Sequence, residues 1–339
     1  MTEIKYKSEV IGKGGISARV VAKSVSAYSG TIITTWEYEA PKCILAELNT
    51  HRMFSRNAQS SRAVPVSKVI DQIRNNPVTP VHWGSNQAGM VAGEEIEEHV
   101  KVWDGRDARS YSLNREDAWY HAACLSADAM KAFDNAGYHK QIVNRIGEAF
   151  TFVRGVITAT EIDNFFHLRV HPAADPFIQE LARCMWEAYE LAEAEVLREG
   201  EWHTPYVEHF RASDGDAFLE YHHNGLEVDV ERAKQISAAG TAQVSFRKLD
   251  LSEETVDRVY SRLVDDETPH ASCVEHQATP IKSFELHSAL QFINGFEEGV
   301  SHVDKDLNFW SGNFKHWIQN RKLIPNEVCN NFKLREGNK

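Results

Sequence analysis

Between Thr31 and Glu39 the chain reads T-I-I-T-T-W-E-Y-E, a run of β-branched and aromatic residues that predicts a strand. The pattern then changes period. In P-K-C-I-L-A-E-L-N-T-H-R, from Pro41 to Arg52, the apolar positions Ile44, Leu45 and Leu48 fall at helical spacing. Proline is favoured at a first helical position, so Pro41 is expected to open a helix that delivers His51 and Arg52 at its C-terminal end. A loop from Phe54 to Pro65 and a short amphipathic helix over Val66–Arg74 follow. Residues 77–112 carry little periodicity and predict loop with short helices, the acidic run Glu94 to Glu98 reading as a solvated helix face. Further helices are expected at 115–136, 139–149 and 175–198, with Pro176 near the start of the last, and Thr151–Thr160 reads as a strand or an apolar bend. The fold class this implies is α+β, a mixed or antiparallel sheet flanked by helices.

Composition narrows the class. The chain has 339 residues, 42% hydrophobic and 25% charged, which is ordinary globular usage with room for a sizeable core. No apolar run approaches the roughly 18 residues of a membrane span, and the first residues lack the apolar segment of a secretory signal. The five cysteines are scattered, odd in number and form no C-x-x-C, which implies reduced thiols, no structural zinc and a cytoplasmic setting. Neither His222-His223 nor His203 with His209 has metal-ligand spacing, so no metal is expected. Gly12-Lys13-Gly14-Gly15 lacks a G-K-[ST] and reads as a turn. A formal net charge of −12 argues against broad nucleic-acid binding.

Against that acidic background, Leu48 to Ile70 contains no Asp or Glu. Its centre, T-H-R-M-F-S-R-N-A-Q-S-S-R, gathers His51, Arg52, Ser55, Arg56, Asn57, Gln59, Ser60, Ser61 and Arg62. Arginine forks and hydroxyls at close spacing suit a phosphate and a planar polar ring, which points to a nucleotide site. A solvated helix end followed by a loop would have the same composition.

The order of these residues resembles the signature of the flavin-dependent thymidylate synthases (thymidylate synthase complementing proteins), R-H-R-x-x-S-x-N-x-x-S-x-R. His51, Arg52, Ser55, Asn57, Ser60 and Arg62 fall on it, whereas Thr50 stands for its first arginine and Ala58 for a common acid. Asn164-Phe165-Phe166-His167-Leu168-Arg169 resembles the family's N-F-x-x-L-R. Ala242 to Phe246 resembles A-R-V-S-F, and His270 to His276 resembles H-x-[ST]-P-x-E-H with Cys273 in place of proline. Phe314 to Glu327 resembles the helix that normally ends in R-H-R, with Arg321 and Glu327 in register. Segments expected early in such an enzyme thus recur late. That order implies an internal duplication, a tandem pseudo-dimer, with residues 1–235 as the unit carrying the nucleotide motifs and 236–339 as a partial second copy.

The resemblance implies FAD as cofactor, with methylenetetrahydrofolate and NADPH as co-substrates. The activity would be one-carbon transfer to C5 of a deoxypyrimidine monophosphate, dUMP to dTMP in the first instance. Sites in the family form where subunits meet, so a homo-oligomer is implied, a tetramer or a dimer of pseudo-dimers, with no nucleic-acid or membrane partner. Arg169 would be catalytic, polarising the pyrimidine as charge builds across the ring. Gln59, Ser60, Arg62 and Arg145 would hold the nucleotide, with Glu327 standing in for the acid lost at Ala58. His51, Arg52, Ser55, Asn57, Asn164, His270, Ser272, Glu275 and Arg321 would lie on the flavin side. The departures, with Thr158 and Thr160 where the family has N-x-R, leave open methylation or hydroxymethylation of dCMP, or a degenerate binding homologue.

Overall fold

The structure, a computed structural model, describes residues 9–104, 109–211, 218–245, 249–264, 269–282 and 296–330. The chain begins with β1 (Glu9–Ile11), β2 (Ser17–Ser26) and β3 (Ile32–Pro41), then a 3-10 turn at Lys42–Ile44, α1 (Leu45–Leu48), β4 (Ser55–Ala58) and α2 (Val66–Asn75). A hairpin of β5 (Val100–Asp104) and β6 (Arg109–Leu113) precedes α3 (Arg115–Asn135) and α4 (Lys140–Val143). Next come β7 (Phe152–Ala159), α5 (Asp163–Arg169), α6 (Pro176–Leu191), β8 (Glu195–Leu197) and the meander β9 (Glu208–Phe210), β10 (Glu220–His223) and β11 (Leu226–Val228). The remainder is α7 (Val230–Ala242), α8 (Glu253–Val264) and five short strands, β12 (Ala278–Pro280), β13 (His302–Val303), β14 (Phe309–Ser311), β15 (Phe314–Lys315) and β16 (Trp317–Gln319).

The central sheet runs β1-β2-β3-β7-β4, antiparallel throughout, and β8 joins β2 in parallel through Ser24–Ser26. This is the α+β class with a mixed sheet that the pattern predicts. One face packs on α5 and α6, where Ile178, Leu181, Cys184, Met185 and Ala188 meet Trp36, Val20 and Ile157. Each such side chain, fully buried, contributes roughly 1.5–3 kcal/mol if large and apolar. Asp175 caps α6, accepting from the amides of Phe177 and Ile178 ahead of Pro176. The other end of α6 is closed by buried Lys23, whose ammonium donates to the carbonyls of Tyr189 (2.8 Å) and Ala192 (2.9 Å). The opposite face carries α7, with Ala233, Ile236 and Ala239 against Ile33, Leu197, Phe314 and Trp317. Where β3 crosses β7, Tyr38 lies over Gly155, and a Cβ there would come within 2.2 Å of the ring. A third cluster joins α2 and α3 through Ile70, Ile73, Ala127 and Met130.

Several local expectations change. Pro41 ends β3 instead of opening a helix, because its backbone continues the ladder opposite Phe152. The helix expected through Arg52 is only the 3-10 turn and α1, and the loop after Phe54 contains β4, added to the sheet edge by pairing with β7. The weakly patterned 77–112 region holds the β5-β6 hairpin, and Glu94–Glu98 is irregular. Residues 314–319 are two strands and not a helix, since Trp317, Ile318 and Gln319 are all buried and β16 pairs with β12. The strand–helix–loop unit of residues 31–62 is therefore not repeated there, and the duplication loses the element on which its register leaned. Phe246, the end of one of its motifs, lies outside the described residues. No helix among the described residues is long and apolar enough to cross a membrane.

Candidate functional site

The sequence-assigned residues fall in three places around the β4 edge of the sheet. The first joins two motifs separated by more than a hundred residues. Arg169, at the end of α5, donates from Nε to His51 Nε2 at 2.9 Å and from a terminal nitrogen to the Glu47 carboxylate of α1. His51 packs between Phe54 and Phe165, with ring centroids at 5.8 and 4.9 Å. Burial, then the charges of Arg169 and Arg56, lower its pKa. It is neutral at pH 7, and because Nε2 accepts from arginine, the ring proton sits on Nδ1. Arg169 borders a cavity of about 750 Å³ together with Glu47, His82, Ala173, Asp175 and Gln179. Its guanidinium keeps further N–H donors beyond the two in use. Lys13 borders the same cavity, but its backbone amide is taken by Glu180 Oε1 at 2.6 Å, so the Gly12–Gly15 turn is filled by the protein's own carboxylate.

The second place is a polar seam between β4 and the C-terminal segment. Ser55 is 1% exposed, and its hydroxyl lies 3.2 Å from Asn313 Oδ1 and accepts from Gln319 Nε2 at 3.1 Å. Asn57 donates to the Thr241 carbonyl at 3.2 Å. Arg321 pairs with Glu275 and, at 2.5 Å, with Glu327, which also receives Lys322. These residues from both sides of position 235 hold one another. Arg52, Asn164 and His270 are exposed, and the Ser272 hydroxyl lies 3.3 Å from His270 Nδ1. None of the nine flavin-side residues borders any of five cavities found on this chain. Among the described residues, Ser55, Asn57, Glu275 and Arg321 are engaged in internal hydrogen bonds and ion pairs.

Behind the seam, a chain of buried side chains crosses the sheet. Ser24 Oγ contacts His203 Nδ1 (2.9 Å), His203 Nε2 contacts Thr35 (2.9 Å), Thr35 contacts Thr158 (2.7 Å) and Thr158 contacts His276 Nδ1 (2.8 Å). All five are fully buried. Burial lowers the His276 pKa to about 3 and that of His203 well below the usual value, with the nearby His209 and His276 adding to the effect on His203. Both rings are neutral, so the chain is held by uncharged groups. His276, the last residue of the H-A-S-C-V-E-H segment, is thus a core histidine.

The third place is a cavity of about 420 Å³ beneath α2. Gln59 and Ser60, two of the assigned nucleotide residues, border it with Ser61, Lys42, Lys68, Asn144, Arg154 and Glu39. Arg62 and Arg145 do not. Arg62 is exposed on the outer side of the loop, and Arg145 donates to its own Gln141 carbonyl at 3.2 Å while lending its charge to Glu148. Lys42 donates to Ser61 Oγ and to Glu148 Oε1 (2.6 Å), and Ser61 donates to the same oxygen at 2.8 Å. Arg154 is paired with Glu39 at 2.8 Å. Lys42, Ser61, Lys68, Asn144 and Arg154 went unassigned in the sequence. Ser61 and Lys68 lie inside the acid-free stretch, so that stretch was a usable signal, whereas nothing local marks Asn144 or Arg154. No group of three or more His, Cys, Asp or Glu among the described residues is arranged to hold a metal.

No family model and no curated protein matches this chain. Matching solved structures include the UMP/dUMP methylase PolB from Streptomyces cacaoi bound with 5-Br UMP, at TM-score 0.34 and 14% identity, covering 54% of this chain and 92% of that one. The same enzyme bound with 5-Br dUMP matches at TM-score 0.32 and 13% identity, covering 53% and 92% respectively.

Proposed function

We propose that this chain is a pyrimidine-nucleotide enzyme that transfers a one-carbon unit to C5 of a deoxypyrimidine monophosphate, dUMP in the first instance. The observation that carries this reading is the 2.9 Å contact between Arg169 and His51. It joins, at one cavity, the two sequence segments on which the resemblance to the flavin-dependent thymidylate synthases is densest. Glu47 and neutral His51 fix the Arg169 fork, leaving donors for the carbonyl edge of a pyrimidine ring. As C6 is attacked and negative charge spreads over the ring, a fixed guanidinium there stabilises the charge without reorganising. Phe54 and Phe165 keep water from His51, which favours its neutral, accepting form.

In the resembled family the redox step is supplied by FAD, with methylenetetrahydrofolate and NADPH as co-substrates. Among the described residues, none of the flavin-side residues borders the Arg169 cavity, and the chemistry assigned here to the chain's own side chains is orienting and polarising the pyrimidine. The exposed Arg52, Asn164 and His270 are the flavin-side residues that a second copy of the chain would enclose.

The test is the absorbance of the purified protein, followed by NADPH oxidation with dUMP or dCMP added separately. Flavin bands and oxidation stimulated by one nucleotide would support the reading and name the base. A colourless protein indifferent to added FAD and to both nucleotides would sink it.

A further inference from the structure

The cavity beneath α2 is built for an anion in ways the motif does not account for. Its cations come from three elements: Lys42 after β3, Lys68 in the first turn of α2, and Arg154 on β7. Helix N-termini favour acidic residues, and the ten-residue α2 has none in its first turn and no side-chain cap. It carries Lys68 there instead, and the cavity is bordered by Lys68, Val69 and Gln72 of the helix, so the cation faces it with no acid in the same turn to offset it. Lys68 has no carboxylate partner among the described residues.

Asn144 supplies an independent sign of a ligand. It is 3% exposed, and its Nδ2 donates to the carbonyls of Ser61 (2.8 Å) and Val64 (2.9 Å). Those two bonds fix the amide orientation and pin the loop that carries Ser60 and Ser61. They leave Oδ1 buried beside the cavity with no hydrogen-bond partner among the described residues. A buried acceptor without a partner costs on the order of 1–3 kcal/mol. A phosphate monoester brings both kinds of group this wall asks for, an anionic phosphate and, on its sugar, an O–H donor for Asn144 Oδ1. The volume of about 420 Å³ falls within the range of small-ligand pockets, roughly 300–1,000 Å³.

The structure already holds an anion on part of this surface. Glu148 accepts from both Lys42 and Ser61 on one carboxylate oxygen. Burial works to raise its pKa, but the hydrogen bonds from Lys42 and Ser61 together with the charges of Lys42 and Arg145 bring it below the usual value, so the group is ionised.

We infer that Lys42, Ser61 and Lys68, with Ser60, form a phosphate-monoester site in this cavity, and that Glu148 is an internal anion which the incoming phosphate displaces from Lys42 and Ser61. This rests on the nucleotide reading above for the nature of the ligand. It moves the phosphate contact away from Arg62 and Arg145, and it replaces the arginine missing at Thr50 with lysines from other elements. Glu148 then sets a threshold: a weak or singly charged anion does not outcompete a carboxylate already in place, whereas a phosphate dianion bridging Lys42 and Lys68 does.

The experiment is calorimetric titration of the full chain with inorganic phosphate and, separately, with dUMP, for wild type, Lys68→Ala and Glu148→Gln. Lys68 is exposed, so its truncation leaves the core intact. Expected are competition between phosphate and dUMP, about tenfold weaker binding in Lys68→Ala and three- to tenfold tighter binding in Glu148→Gln. Binding of dUMP that neither substitution moves would overturn the inference and leave the nucleotide reading standing. Phosphate binding that shifts as expected in a protein indifferent to dUMP would support the site and overturn the nucleotide reading. No binding of either ligand by any of the three proteins would overturn both.

Discussion

Two polar assemblies lie within a few residues of each other along β7 and are built on opposite rules. The cavity at the start of the strand, around Arg154, is charged, open and short of complete pairing. The chain at its end, through Thr158, is neutral, buried and hydrogen-bonded from Ser24 to His276 Nδ1, leaving only His276 Nε2 without a partner among the described residues. Both use the same backbone ladder as support. What differs is desolvation: a charge left unpaired in the interior would cost far more than its partners return, so the buried chain uses hydroxyls and neutral imidazoles. The cavity tolerates Lys42, Lys68 and Arg154 because water or a ligand reaches them. Along one strand, polarity thus takes two forms, a charged surface open to solvent and a neutral tie inside the core.

The largest effect expected from breaking this contrast is in the buried assembly. His203→Ala removes the ring between Ser24 and Thr35 and leaves two buried hydroxyls short of a partner in a new cavity. Stability should fall by about 3 kcal/mol, read from guanidinium unfolding at pH 7.5. A loss below about 1 kcal/mol would show that the chain is not a structural tie.

Next in size is the effect on chemistry. Arg169→Ala should lower turnover of the responsive nucleotide by about a hundredfold, near 2.7 kcal/mol, while changing its dissociation constant much less. Arg169→Lys should recover little, because an ammonium does not reproduce a fork held by Glu47 and His51. Equal losses in affinity and turnover would reduce Arg169 to a binding residue.

Acid distinguishes the assemblies more gently. The folded pKa of His276 is lowered to about 3, so between that value and its ordinary 6.5 the unfolded chain binds the extra proton. Its contribution is present above pH 6.5 and is lost as pH falls, by at most about 1.4 kcal/mol per pH unit. His203, lowered in the same direction, adds to the slope. Denaturant melts from pH 7.5 to 5 should show a steep loss, shallower in His276→Gln. An unchanged slope in that variant would mean that His276 titrates normally.

The central layer was legible because its signals are local. The aromatic and β-branched run before Pro41, the Asp175-Pro176 helix start and the polar-apolar period of α2 each fixed an element within a few residues. The C-terminal segment was not. F-K-H-W-I-Q-N-R-K-L has apolar positions compatible with a helix, but Trp317 and Ile318 are buried on both sides of a two-strand pairing with β12. Only tertiary contact decides that choice. At the candidate site, the motif residues nearest in sequence were separated by the fold: Ser60 faces the cavity, Arg62 the solvent. Asn144 and Glu148 reach the site from a segment with no motif of its own.

The smallest effect expected is therefore at the residue whose sequence case was among the strongest. Arg62 completes the signature, yet it is exposed, does not border the cavity, and only its backbone amide contacts Ser60 Oγ, at 3.2 Å. A solvent-screened charge beside a bound phosphate contributes a few tenths of a kcal/mol. Arg62→Ala should weaken nucleotide binding by less than about twofold at physiological salt, against about tenfold for Lys68→Ala measured in the same titration. A larger loss from Arg62 than from Lys68 would place the phosphate on the outer side of the loop, where the motif alone would have put it. It would also leave the α2 cavity without its ligand, because Arg62 does not border that cavity.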